Sequence, residues 1–333
     1  MSRISLAHGN GGRYMRELIE SVFHPCLENP YLDITLDAAC LTALSGQLMM
    51  TTDSFTVKPL EFPGGNIGSL AIHGTINDLA VSGAEPKYLS LSVIIEEGLA
   101  LEVLQRIIAT AGEAAAQIGV PVVCGDTKVV PKGEGSEIYL CCSGIGVRNP
   151  AFNMSLKSIQ PGDYILVSGP VGDHGSSVIL AREQFGLSGE LLSDAACVLP
   201  LCRSISDLPG LRFMRDPTRG GLATVMHEIC HATGMGVILQ QNQTPVRDAV
   251  TAVCEMLGYD PLYLACEGRV VAVLAPDDAN EALHRWRRST EGSLAAIVGE
   301  VSVSEPGRVI METELGGQRF LEELEDSPLP RIC

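Results

Sequence analysis

Five aspartates adjoin apolar or glycine-bearing segments: Asp37 in TLDAAC, Asp53 in MMTTDSF, Asp78 in GTINDLAVSGA, Asp126 in VVCGDTK and Asp216 in FMRDPTRGG. A strand or helix ending there would set each carboxylate at the element's end, where an isolated charge is disfavoured unless paired or metal-bound. Mg2+ takes hard oxygen ligands and usually shares them with substrate phosphates. Several converging aspartates would therefore let an acidic chain hold a nucleotide triphosphate. Taken one at a time, each serves equally as a turn or helix-cap residue.

Three further stretches could carry chemistry. HGNGGRYMREL sets the loop His8–Gly12 before a helix. Its residues His8, Gly9, Asn10, Gly11 and Gly12 read either as backbone N–H groups for phosphate or as a flexible turn. ACEGRVV places Glu267 just before an apolar strand, where partial burial would raise its pKa and suit a general base. The chain stops on PLPRIC, so Cys333 is a terminal thiol behind Pro328 and Pro330. Such a thiol is exposed to oxidation unless it has a use. A lipid-anchor box needs cysteine fourth from the end, where Pro330 stands.

Other motifs are excluded or weak. The sequence has no P-loop and no dinucleotide-binding glycine fingerprint. HEICH matches H-E-x-x-H, with His227 and His231 on one helical face and Glu228 as a base. Val237 occupies the third-ligand place of the longer form, which leaves Glu255 as a conceivable substitute. Eleven cysteines without a C-x-x-C pair are neither a disulfide framework nor a common zinc pattern. Cys26, Cys40, Cys124, Cys230 and Cys254 read as small buried hydrophobes.

The elements that would position these residues alternate. Strands are expected over 46–57, 88–95, PVVCGD and EIYLCCSGIGV, and helices over 65–84 and 100–119, the latter ended by Gly119. A break at 149–162 precedes a second strand–helix series. In it, YILV, MGVILQ, RVVAVLAP and LAAIVGEV read as strands, and SSVILAREQFG, RGGLATVMHEICHATG, 247–257 and 277–288 as helices. The expectation is an α+β (α/β) protein with domains at 1–150 and 155–318 and a mobile tail at 321–333. Length and apolar content support two cores: 333 residues, 46% hydrophobic. The net charge of −17 disfavours nucleic acid. No apolar run reaches a membrane span and no signal peptide opens the chain, so a cytoplasmic protein without membrane contact is expected.

Together the segments AHGNGGRYMREL, TTDSF, FPGGNIG, GTINDLAVSGAEPKYLS, EEGL, VVCGDTKVV, VSGPVGDHG, RDPTRGG, ACEGR and PRIC resemble the HypE family of hydrogenase maturation proteins over essentially the whole chain. The terminal Pro-Arg-Ile-Cys is particular to that family. The aspartate-bearing segments are shared with aminoimidazole ribonucleotide synthetase and selenophosphate synthetase. The resemblance implies a two-domain PurM-like fold whose N-terminal ATP-binding domain pairs its strands with a second subunit in a dimer barrel. It implies an ATP-dependent carbamoyl dehydratase. HypF would load a carbamoyl group on Cys333, this protein would dehydrate it to a thiocyanate, and the HypC–HypD scaffold would accept cyanide for hydrogenase iron. By motif, Cys333, Glu267 and Lys128 would be catalytic. His8 to Gly12, Asp37, Asp126 and Thr127 would bind ATP, and Asp53, Asp78 and Asp216 would hold Mg2+. His174 in GDHGSS matches a family motif without an assigned role. The rival reading is a relative that phosphorylates a diffusible purine intermediate or selenide.

Overall fold

In the computed structural model, residues 3–150, 152, 154–183 and 191–325 are described. Cys333 and the end of the tail lie outside them. Backbone contacts divide the chain into two compact units, residues 3–79 with 84–149, and residues 80–83 with those described from 150 on.

The first unit begins with a short helix, α1 (Arg13–Leu18), continued by one π turn and one α turn to Leu27. Four strands follow, β1 (Gln47–Phe55), β2 (Ala84–Glu96), β3 (Val122–Val130) and β4 (Ile138–Arg148), in the sheet order β1-β4-β2-β3. Only β2 and β3 run parallel, and α3 (Leu101–Ile118) connects them. That helix shows the expected stripe. Leu104, Ile107, Ile108 and Ala111 are buried while Glu102, Gln105 and Arg106 are exposed. Gly119 caps it in the left-handed conformation, donating to Ala115 O and Ala116 O.

Helix α2 (Ile67–Val81) differs from a surface amphipathic helix, being buried almost all round. It lies between α3 and the sheet. A Cβ on Gly68 would sit 2.2 Å from Ile107 O, and one on Gly74 would sit 2.9 Å from the Phe55 ring. Strand β4 alternates buried and half-buried residues, as a sheet with one helix-covered face requires. The opposite face leaves Leu48 60% and Met50 73% exposed on β1.

The second unit holds a seven-stranded sheet. Its strands are β5 (Tyr164–Val167), β6 (Leu211–Arg215), β7 (Gly236–Gln240), β8 (Val271–Leu274), β9 (Ala296–Ser302), β10 (Val309–Glu312) and β11 (Gln318–Leu321), ordered β11-β10-β7-β9-β5-β8-β6. Helices α4 (Asp173–Glu183), α5 (Leu199–Ile205), α6 (Gly221–Thr233), α7 (Asp248–Leu257) and α8 (Pro276–Arg287) accompany it. Strand β8 is buried at every residue. Val271 and Val273 pack into one core with Leu222, Met226 and Ile229 of α6. Trp286 of α8 is fully buried, and its indole N–H donates to Leu201 O.

Strands β6, β10 and β11 and helix α5 are absent from the sequence reading. They are four to seven residues long and each includes a charged residue, so they lack the unbroken apolar run that marks the equally short β5 and β8. Three cysteine expectations are corrected. Cys40 and Cys124 are exposed and Cys26 is half-buried, whereas Cys230 and Cys254 are buried. Cys40 lies in a stretch without regular structure and Cys124 on the edge strand β3, so apolar neighbours in sequence did not become neighbours in space.

Candidate functional site

In the first unit, the Asp78 carboxylate reaches across to a threonine of β1. The Thr51 hydroxyl donates to Asp78 Oδ2 at 2.6 Å. Asp53 lies two residues along β1, on the same helix-facing side, between Thr51 and the buried Phe55. The sheet admits α2 this closely because Gly144, paired with Thr51, has no side chain. A Cβ there would meet Leu79 and Thr75 at 2.9 and 3.0 Å. Burial, with a smaller contribution from Asp53, pushes the Cys142 thiol up to about 12. That cysteine is a packing residue and not a nucleophile.

Asp37, Asp126 and Thr127 form a second group. All three line one cavity of about 250 Å³, walled by Met15, Ile19 and Phe23 from the N-terminal helical segment. The volume suits part of a ligand, being below the roughly 300–1,000 Å³ of whole-ligand pockets. The glycine loop lies against the same strand. A Cβ on Gly9 would stand 2.9 Å from Val129 Cβ, and Gly11 has φ +73°. Ser5 N–H donates to His8 Nδ1 at 3.1 Å, which orients the histidine that opens the loop. Lys128 is exposed on β3, one residue from Val129 and two from Asp126.

In the second unit, the Asp216 and Glu267 motifs are stitched together. Both side chains belong to buried residues, 7% and 4% exposed. Cys266 N–H donates to Pro217 O at 3.0 Å. The paired glycines of RDPTRGG make this approach possible. Gly220 and Gly221 both have positive φ, and a Cβ on Gly221 would lie 2.5 Å from Leu262 O and 2.6 Å from Leu264 O. The GPVGDHG segment joins the same cluster, with Gly172 N–H donating to Cys266 Sγ and Gly175 N–H to Ala265 O. His174 is fully buried, its Nδ1 lies 2.8 Å from Ser193 Oγ, and burial pushes its pKa down to about 3. It is a neutral imidazole at physiological pH.

Sequence reasoning passed over Thr51, Asp173, Asp194 and Arg269. Arg269 sits 3.3 Å from both Asp173 Oδ2 and Asp194 Oδ2, and Arg247 adds a 2.9 Å ion pair to Asp173. The signal for Asp194 was present, since SDAACV is another aspartate among apolar residues. Its partner was not legible, because Arg269 is 75 positions away in the chain, as the numbering shows.

The five aspartates thus fall into three groups, two in the first unit and one in the second. Among the described residues, no three His, Cys, Asp or Glu side chains are arranged to hold a metal ion. That holds for HEICH too. His231 Nε2 faces Glu323 Oε2 at 3.3 Å, and the His227 and His231 rings are 6.4 Å apart. Half-buried carboxylates such as Asp53 and Asp78 still fit a hard cation completed by phosphate oxygens, because Mg2+ seldom has an all-protein cage.

Models of the AIR synthase related protein N-terminal and C-terminal domains match residues 36–148 and 160–312. The carbamoyl dehydratase HypE of Azotobacter vinelandii is 43% identical over 331 residues, covering 99% of this chain and 97% of that protein. The chain belongs to the HypE family. A crystal structure of HypE in complex with ATP superposes with a TM-score of 0.93 at 42% identity, over 98% of this chain and 99% of that one. HypE in a HypE–HypF complex gives 0.81 at 42% identity, over 92% and 99%. Membership confirms the two-domain α+β, PurM-like fold and the dehydratase class, and it removes the zinc-protease reading of HEICH. No described helix is long and apolar enough to cross a membrane.

Proposed function

We propose that this protein uses ATP to dehydrate an S-carbamoyl group on its own Cys333 to an S-cyano group, supplying cyanide for the iron of nickel–iron hydrogenases. The observation that carries the reading is full-length likeness to carbamoyl dehydratases in a chain that ends in Pro-Arg-Ile-Cys. An amide oxygen is a poor leaving group. Its attack on the γ-phosphorus expels ADP and turns it into a phosphate ester. Loss of the N–H protons and departure of phosphate then leave C≡N. The two protons and the oxygen lost from the amide are those that hydrolysis of ATP would otherwise take from water, so the balance closes at thiocyanate, ADP, phosphate and one released proton.

The residues divide this work. Asp53 and Asp78 would hold Mg2+ together with ATP phosphates, and Asp216 keeps the metal-ligand role that its motif implies. The ion supplies charge neutralisation at the transferred phosphoryl group. Asp37, Asp126 and Thr127 line the nucleotide cavity, and His8 to Gly12 cover the phosphates. Lys128 neutralises phosphate or orients the thiocarboxamide. Glu267, buried beside Gly268, takes the N–H proton.

The partners follow from the same reading. HypF loads the carbamoyl group, and the HypC–HypD complex receives cyanide in the cytoplasm. A homodimer is supported by the open sheet face, where Leu48 and Met50 stand exposed on a strand at the sheet edge. Intact mass tests the reading. Carbamoylated protein given ATP and Mg2+ should lose about 18 Da, the mass of the water removed by amide-to-nitrile dehydration, and Cys333→Ala should show neither modification. ATP binding without that mass loss refutes it.

A further inference from the structure

Glu267 is held from three sides. Its own N–H donates to Asp194 Oδ1 at 3.2 Å. The residue before it donates to Pro217 O. The residue after it, Gly268, lies so close to the 193–196 loop that a Cβ would stand 1.9 Å from Asp194 O. The loop is itself locked in place. Ser193 Oγ bonds His174 Nδ1 at 2.8 Å and accepts Ala195 N–H at 3.0 Å. Asp194 is completely buried, with Arg269 Nε 3.3 Å from its second oxygen. Arg269 is anchored in turn by donating to Pro170 O at 2.9 Å, and it approaches Asp173 at 3.3 Å.

We propose that Asp194 is a positioning residue for Glu267, with Arg269 as its fixed counter-charge. The inference rests on the reading of Glu267 as the base. A buried ion pair is weak evidence for stability, because desolvation offsets most of its attraction. What this pair does visibly is fix the backbone on either side of one carboxylate. Proton abstraction from a thiocarboxamide depends on that carboxylate's aim, and a displacement near 1 Å can cost on the order of 100-fold. Asp194 touches no reacting atom, so its effect belongs in the chemical step and not in ATP binding.

The test is single-turnover dehydration of carbamoylated full-length protein, followed by intact mass across ATP concentration and pH. Asp194→Ala should slow the rate at saturating ATP roughly 10- to 100-fold and shift the acidic limb of the pH profile, with the half-saturating ATP concentration unchanged. Asp194→Asn keeps the Oδ1 acceptor and should recover most of the rate. Glu267→Gln is the reference. If it dehydrates at the wild-type rate, the base reading itself fails. If it is inactive while Asp194→Ala keeps the wild-type rate and pH profile, the positioning role fails alone. Should Asp194→Ala not fold, Ser193→Ala leaves the buried charges paired and decides the matter. A slower chemical step at unchanged Tm supports the proposal, and an unchanged rate overturns it.

Discussion

The two units build their sheets to opposite ends. In the first, helices cover one face, and the strands alternate so that Leu48 and Met50 stand in solvent. In the second, β5 and β8 are buried on both faces, and Trp286 closes one side. Their carboxylates differ in the same sense. Asp53 and Asp78 are half-buried, and the group that donates to Asp78 is a neutral hydroxyl, Thr51. Asp173 and Asp194 are buried and already face Arg247 and Arg269, although burial still pushes both carboxyls above the ordinary range. Exposed apolar surface and half-buried carboxylates go with ligand and partner binding. Closed cores and buried ion pairs go with holding one group still.

The largest effect expected from this contrast is at the open carboxylates. Asp78→Ala should lower ATP-dependent dehydration by about 100- to 1,000-fold, the range for losing one fixed electrostatic partner of the transition state, while leaving thermal unfolding nearly unchanged. An equal drop in Tm would break the contrast by making Asp78 a structural residue.

The cores come next. Trp286→Ala should destabilise the second unit by about 3–5 kcal/mol, read by denaturant unfolding. Met50→Glu, on the open face, should change unfolding of an isolated protomer by less than about 0.5 kcal/mol and should shift light scattering from dimer to monomer. A dimer that survives Met50→Glu would remove the open face as the association surface.

A last effect, read in pH, is shared by both units. His174 is buried and His73 half-buried, and desolvation pushes their pKa values down to about 3 and about 4. The unfolded chain takes up these protons near pH 6.5, well before the folded one does. Stability present above that value is therefore lost as pH falls toward 4, by about 1.4 kcal/mol per pH unit for each histidine. Asp173 and Asp194 act in the opposite sense, since raised carboxyl values favour the fold as they protonate. The comparison of wild type with His174→Gln isolates the histidine. The variant should unfold with a flatter pH dependence between 6.5 and 4, and parallel curves would contradict the burial argument.

Much of this arrangement was legible along the chain. Long elements declared themselves by period, as in the stripe of α3 and the Gly119 cap, because one face of each must be apolar and one end must stop. Motif residues were legible because their chemistry is local, an aspartate beside glycine or a glutamate before a strand. Short elements such as β10 and β11 were not, since four residues complete too little of a period and theirs, unlike those of β5 and β8, are interrupted by charge. The exposure of Cys40 and Cys124 was not legible either, because burial depends on what packs over a residue and not on its neighbours in sequence.

The chain by itself determined the residue types, the alternation of elements and the family they mark, since these depend on interactions spanning a few positions. Tertiary structure alone decided that Thr51 donates to Asp78, that Asp37 and Asp126 line one cavity, and that Asp194 grips Glu267. Those pairings join residues 27 to 89 positions apart, as their numbers show. Contacts at such separations arise only when whole elements pack, and packing is set by the summed burial of the core rather than by any local stretch.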